Sequence, residues 1–471
     1  MPGNLLHIRN VKKTLHYLKK NGLKYTYYAA RERAGQELSA NYQYSPVADS
    51  ELKRQRSAVQ AYPYKFSILV PAYETPPRYL KEMLESVLQQ SYDKLELIIA
   101  DAGTGEIVRE IVEEYQKRDQ RIRYLRLKEN KGISANTNKA LQYVSGDYVG
   151  LLDHDDILTP DALYEVAAAI DTYEQNKITV EMIYSDEDKC DGSTRKFFDV
   201  NRKDELNLDL ILSNNYICHF LVMKKELIQT LELRSAYDGA QDYDLVLRAI
   251  HRIWGKPLPK TAEERSHDLQ RLKESVVHIP KVLYHWRCHD DSTAANPQSK
   301  EYAYEAGKRA IEDFIRKRGW NGSVVHTRHL GFYRVEYQTD IFQARPEIGI
   351  IGGRLINRKN KIAGGIYSAG GETLFAGLPR EYSGYMHRAS LRQEAAAVDI
   401  RCMKVAPQLE ELLEEVIGLP YLKNPRNGRF YWKECLKKEA DFKRISRQLC
   451  QKVKAAGYLI VWDPEMSEKI N

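Results

Sequence analysis

The chain of 471 residues is longer than the roughly 100–200 residues of a typical domain, so more than one folding unit is expected. Hydrophobic residues make up 43% and charged residues 29%, which excludes a chain dominated by disorder. The formal charge of +7 is modest for this size, and no aromatic-basic RNA motif or zinc finger accompanies it, so no nucleic-acid partner is expected.

The first segment, 1–37, carries Leu5, Leu6, Val11, Leu15, Leu18 and Leu23 at roughly helical intervals, which predicts a helix. The same region is basic, with Lys12, Lys13, Lys19, Lys20, Lys24, Arg31 and Arg33 and few acids. Two readings stand open: a solvated helix face, or peripheral association with an anionic membrane surface or phosphorylated glycolipid. No run approaches the roughly 20 apolar residues that cross a bilayer, and MPGNLLHIRNVKK lacks a signal-peptide core, so a cytoplasmic location is expected. Cys190, Cys218, Cys288, Cys402, Cys435 and Cys450 form no CxxC pair and read as reduced thiols. From Ser39 to Pro63 the periodicity lapses and polar residues dominate, which predicts a linker.

From Phe66 the pattern changes to strands alternating with helices. FSILV (66–70), LELIIA (95–100), IRYLRL (122–127) and YVGLLD (148–153) are strand signals, separated by helical faces at Leu80–Leu88, Ile107–Tyr115 and Ala135–Val144. This alternation predicts an α/β fold with a mostly parallel sheet covered on both faces. Ligands of such sheets bind outside the carboxyl ends of the strands. Those ends are acidic here: Pro71-Ala72-Tyr73-Glu74, Asp101, Asp153-His154-Asp155-Asp156, and Asp186-Glu187-Asp188 after MIYS. No GxGxxG or GxxxxGK[ST] cradle follows the first strand, which disfavours a dinucleotide or P-loop site.

The four residues from Asp153 to Asp156 carry the strongest local signal. Crowded carboxylates repel one another unless a cation neutralises them, and oxygen ligands suit Mn²⁺ or Mg²⁺. The alternative is that Asp155 or Asp156 caps the helix beginning near Pro160.

Eight segments in order, SILVPAYET, LIIADAG, ENKGISANTNKAL, GDYVGLLDHDD, YSDEDK, LSNNYICHF, GAQDYDLVLR and IPKVLYHWR, resemble the family 2 glycosyltransferases of the GT-A (Rossmann-like) fold over most of 65–320. The resemblance implies that Pro71, Ala72, Tyr73, Glu74 and Asp101 line the base pocket of a nucleotide-sugar donor, a UDP- or dTDP-sugar. It gives ribose contact to Asp153, metal ligation to Asp155 and His285, and a place near the phosphates to Arg287. It puts the general base at Asp242, preceded by Gln241 where many relatives have Glu. An acidic residue opening an amphipathic helix is also suited to capping. Asp186, Asp188, His219 and Gln241 are assigned to contacts with acceptor or donor sugar, against a structural role for each. The implied reaction is inverting transfer of a glycosyl group to a glycan or lipid-linked acceptor in surface polysaccharide synthesis.

The expected divisions are a helical region and linker over 1–63, a catalytic domain over 64–322 and a partial glycosyltransferase-like domain over 323–471. In the last, RPEIGIIGGRL, IAGGIYSAGGE and AAGYLIVWDP resemble the acceptor half of a second copy. Ser446 and Gln448 occupy the positions of that copy's acids, so this part is not expected to catalyse. Two competing functions are a non-catalytic glycan- or nucleotide-binding subunit of a polysaccharide synthase, and a nucleotidyltransferase, for which PAYETPP is the wrong first loop.

Overall fold

The computed structural model describes residues 8–39, 42–255, 261–288, 301–417, 422–423, 430–431 and 438–470. Cys435 and the first seven residues of the predicted opening helix lie outside the described residues; the five described cysteines are free. The opening helix spans Ile8–Ser39 and breaks at Gly22, whose φ of 77° departs from helical geometry. None of the described helices is long and apolar enough to cross a membrane.

Nine strands form the main sheet: β1 (Phe66–Ala72), β2 (Leu95–Asp101), β3 (Ile122–Arg126), β4 (Tyr148–Leu151), β5 (Ile157–Leu158), β6 (Met182–Asp191), β7 (Phe197–Asn201), β8 (Leu221–Lys224) and β9 (Val276–Cys288). Their order is β3-β2-β1-β4-β8-β6-β9-β5, with β7 beside β6. The strands from β3 to β4 are parallel, β8 runs antiparallel to both its neighbours, and β6 and β9 are again parallel. The fold is therefore α/β with a parallel-rich mixed sheet.

Strand alternation divides the apolar residues between two cores, one on each face. Leu69, Ile98 and Val149 enter one cluster, while Ile68, Val70, Leu97 and Ile99 enter the other. The helix Pro77–Leu88 starts on proline and buries Leu80, Met83, Leu84 and Val87, a single 3.6-residue stripe against the second core. At Gly150 in β4 a Cβ would stand 2.9 Å from both Ile68 and Phe220, so any larger residue there would force one of these side chains to shift.

Two local expectations change. Within the predicted linker, Asp49–Ala58 is a helix. Only Leu52 and Gln55 of it are buried, and Gln55 is satisfied by the Ser91 hydroxyl at 2.6 Å, so too few apolar side chains mark the turn. Secondly, the strand beginning at MIYS does not end at Ser185 but runs on to Asp191, its acids paired along β9. Ahead of His219 lies a short helix, Leu208–Ile211, and strand β8 follows it.

Beyond a hairpin of Gly322–His326 and Tyr333–Tyr337, a second, five-stranded sheet is built around Ile348–Ile356, which lies parallel to Leu459–Lys469. The helix Glu439–Ala455 covers it with Ile445, Leu449 and Val453. Ile348, Ile351, Leu459 and Val461 of this sheet join the same apolar core as Ile211 and Leu212. A buried ion pair, Arg345 to Asp209 at 2.8 Å, crosses the same junction.

Candidate active site

The central strand β1 fixes the geometry. Its neighbours β2 and β4 leave it in register at Ala72–Asp101 and Leu69–Leu151, so both deliver their next residues to one edge. The backbone bonds Ala102 N to Ala72 O (3.0 Å) and Leu152 N to Leu69 O (3.1 Å) extend that edge past the strands. Asp101 and Asp153 thus flank β1, with their strands about 10 Å apart.

On the β2 side, Asp101 is fully buried. It accepts from Gly103 N (2.8 Å), the Tyr124 hydroxyl (2.7 Å) and Arg126 Nη1 (2.8 Å). Glu74 accepts from the Thr104 backbone at 2.7 Å, which ties the loop after β1 to the loop after β2. That contact is the first cause holding the Glu74 carboxyl below its ordinary value. Pro71 is half-buried, Ala72 is buried, and Tyr73 presents a half-exposed ring at the rim.

On the β4 side, ligand atoms of Asp153, Asp156 and His219 all lie within 4.8 Å of one another. Asp156 is buried, accepting from the Tyr284 hydroxyl at 2.5 Å and from Arg287 N at 2.7 Å. Burial pushes the Asp156 carboxyl well above its usual range, and repulsion from Asp155 and Asp153 adds to the rise. Burial likewise raises Asp153; His219 and His154 oppose the shift, while Asp155 and Asp242 reinforce it. These carboxyls are held where charge is costly, a setting that a cation relieves.

His219 is placed by two contacts. Its ring stacks on Tyr284, and the fully buried Lys203 ammonium donates to the carbonyls of Ile217 and His219 while pairing with Glu187. The same loop reaches Asp242 at the start of the helix Gln241–Trp254. Asn215 Nδ2 donates to Asp242 Oδ2 at 2.7 Å and Cys218 Sγ lies 3.4 Å from the same oxygen. Burial, with Asp242 second, raises the Cys218 thiol well above its usual range, so it stays a protonated donor. Gln241 turns back to accept from Gly239 N at 2.8 Å.

The side chains of His285, Arg287, Asp186 and Asp188 are held by other partners. Alternation along β9 turns Tyr284 and Trp286 toward His219, and His285 and Arg287 to the other face. His285 Nδ1 meets Asp188 Oδ1 at 2.5 Å between the rings of Tyr44 and Phe197, and Asp188 also accepts from Tyr42 at 2.6 Å. Arg287, fully buried, bonds the Asp155 carbonyl and Glu82, each at 2.5 Å, and lies over Tyr79. Asp186 is bound by His278 (2.8 Å) and by Lys203 N (2.9 Å). The ligand pair expected from resemblance, Asp155 and His285, therefore differs from the triplet found together. Asn215 and Tyr284 lie within the quoted segments LSNNYICHF and IPKVLYHWR; nothing local in the sequence marks Lys203 as a support.

Residues 67–231 match the model described as Glycosyl transferase family 2. This segment is a family 2 glycosyltransferase domain. The domain contains Asp101, Asp153, Asp156 and His219, while Asp242 and β9 lie beyond its matched end. An uncharacterized protein of Sinorhizobium fredii is 38% identical over 254 residues, 53% of this chain and 25% of that protein. The O-antigen biosynthesis protein RfbC of Myxococcus xanthus is 31% identical over 290 residues, 60% of this chain and 20% of that protein. This chain spans a quarter or less of the length of these two relatives. Among solved structures, S. aureus TarS 1-349 in complex with UDP-GlcNAc is 20% identical, covering 53% of this chain and 66% of its own, with a TM-score of 0.40.

Proposed function

We propose that the protein is a metal-dependent, inverting glycosyltransferase that moves a sugar from a UDP- or dTDP-sugar to a glycan or lipid-linked acceptor in surface polysaccharide synthesis. The observation that carries this reading is the convergence of Asp153, Asp156 and His219 beside Asp242, whose charge acts on Asp153. The family 2 domain and the relative named for O-antigen biosynthesis support it.

Two carboxylates and one imidazole fit Mn²⁺ better than Mg²⁺, which prefers oxygen. Asp153, Asp156 and His219 are the residues that would hold it, with Asp155 adding negative charge beside them. A divalent cation there supplies charge compensation for the departing diphosphate. Tyr73, Pro71 and Ala72 receive the base, with Asp101 fixing the loop at Gly103 as the pocket's floor. Asn215 and Cys218 engage one oxygen of Asp242 and leave the other to take the proton of the acceptor hydroxyl as it attacks the anomeric carbon. The bond to the diphosphate breaks on the opposite face, so the configuration inverts. The C-terminal sheet shares an apolar core with Leu212, three residues before Asn215.

The test is a panel of nucleotide sugars with Mn²⁺, following nucleoside diphosphate release by the folded wild type and by Asp242→Asn. Release by the first and not the second is expected. Nucleotide binding without turnover on any acceptor would instead favour the non-catalytic subunit.

A further inference from the structure

A cavity of about 700 Å³ lies where the opening helix, the 322–337 hairpin and the C-terminal sheet meet. Its lining includes none of Asp153, Asp156, His219 or Asp242. Six cationic side chains face four acidic ones in this wall, and the pairing is uneven. Arg334 is matched by Asp463 and Glu465, Arg392 by Asp463, and the acid Glu381 is taken by Lys24. Among the described residues, Lys20, Arg328, Arg354 and Arg380 make no ion pair.

Arg354 is the centre of the group. It is more than nine-tenths buried, and two of its nitrogens donate to the carbonyls of Arg380 and Ala389. Its Nε–H is buried without an acceptor. Burial lowers the Arg354 guanidinium to about 10; the charges of Arg328 and Arg380 add to the fall, and those of Asp463 and Glu381 oppose it. Arg328 is aimed by the Glu381 carbonyl at 3.2 Å and by the face of Tyr25. Behind it His329 and His387 stack at 3.8 Å, and burial, helped by neighbouring cations, holds both rings neutral at ordinary pH.

Gathering guanidiniums in excess of the carboxylates around them is costly unless an anion joins them. Arginine forks match the oxygens of a phosphate. We infer that this cavity is a second binding site, built jointly by the opening helix, the hairpin and the C-terminal sheet, for a phosphate group held by Arg328, Arg354 and Arg380. The inference goes beyond the transfer reaction and does not depend on it.

Calorimetric titration of the full chain with glycerol 3-phosphate, and separately with inorganic phosphate, tests the site. Arg354 is buried, so Arg328→Gln and Arg380→Gln are the variants, with a melting curve to verify their folding. The wild type should bind one equivalent, and each variant should bind at least about tenfold more weakly, since each loses a charge-assisted bond to the phosphate. Tighter binding of glycerol 3-phosphate assigns the site to a phosphate ester, and equal affinity assigns it to free phosphate. Absence of saturable binding by the wild type, or unchanged affinity in both folded variants, would overturn the inference. Because binding is read without turnover, either result leaves the assignment of Asp153 and Asp242 standing.

Discussion

The imidazole of His219 lies nearly parallel to the ring of Tyr284, 4.5 Å between centroids and 7° between planes. The Tyr284 hydroxyl donates to Asp156. One side chain of β9 therefore positions two of the three converging ligand groups, although it stands 128 positions from Asp156 in sequence.

Tyr284→Phe keeps the stack on His219 and removes the bond to Asp156. Supporting bonds of this kind are worth about 10–100-fold in metal affinity. A Mn²⁺ titration of the folded variant should show a loss in that range.

Asp242→Asn preserves the size of the side chain and its contact with Asn215 after an amide flip, but cannot take a proton. Turnover should fall by about 10²–10⁴ while the KM for the donor changes little, because the donor pocket is built by other residues. Steady-state kinetics at saturating acceptor would show it.

Much of this arrangement is legible in the sequence because each strand signals itself twice, through its β-branched residues and through the acids at its carboxyl end. FSILV, LELIIA and YVGLL form adjacent parallel strands, and their acids come to one edge. The helix after Gly239 is legible from Leu245, Val246, Ala249 and Ile250, all buried. The features hidden from a local reading depend on long-range pairing. The continuation of β6 through three acids is decided by β9, and the direction of His285 by the alternation of a strand whose register the local sequence does not contain. The resemblance points to Asp155, and the bond from Tyr284 that singles out Asp156 is a long-range contact with β9.

The junction with the C-terminal sheet should be acid-sensitive through His387. Burial, then Arg328, lowers its ring from 6.5 to about 4. The unfolded chain takes up this proton first, so the stabilising contribution is complete above about pH 6.5 and is lost as pH falls toward about 4. His329 carries the same sign. Urea midpoints measured at about pH 7 and about pH 5 should differ in the wild type and differ less in His387→Gln.

Asp463 acts in the same direction, from a different cause and at lower pH. Burial alone would raise its carboxyl, but Arg392 and Arg334 outweigh that and hold it well below the usual range. Its contribution is present above about pH 4 and is lost only in stronger acid. Asp463→Asn leaves two arginines without their shared carboxylate and should cost about 3–5 kcal/mol in a denaturant titration. Tyr73→Ala, at an exposed rim, should stay within about 0.5 kcal/mol by the same measurement.

The most direct test is Mn²⁺ binding followed by electron paramagnetic resonance in the wild type, Asp153→Asn and His219→Gln. One bound ion in the wild type, with affinity reduced at least about tenfold in each folded variant, is the predicted result. Equal binding by all three proteins, or none by the wild type in the presence of a nucleoside diphosphate, would contradict a cation held by Asp153, Asp156 and His219.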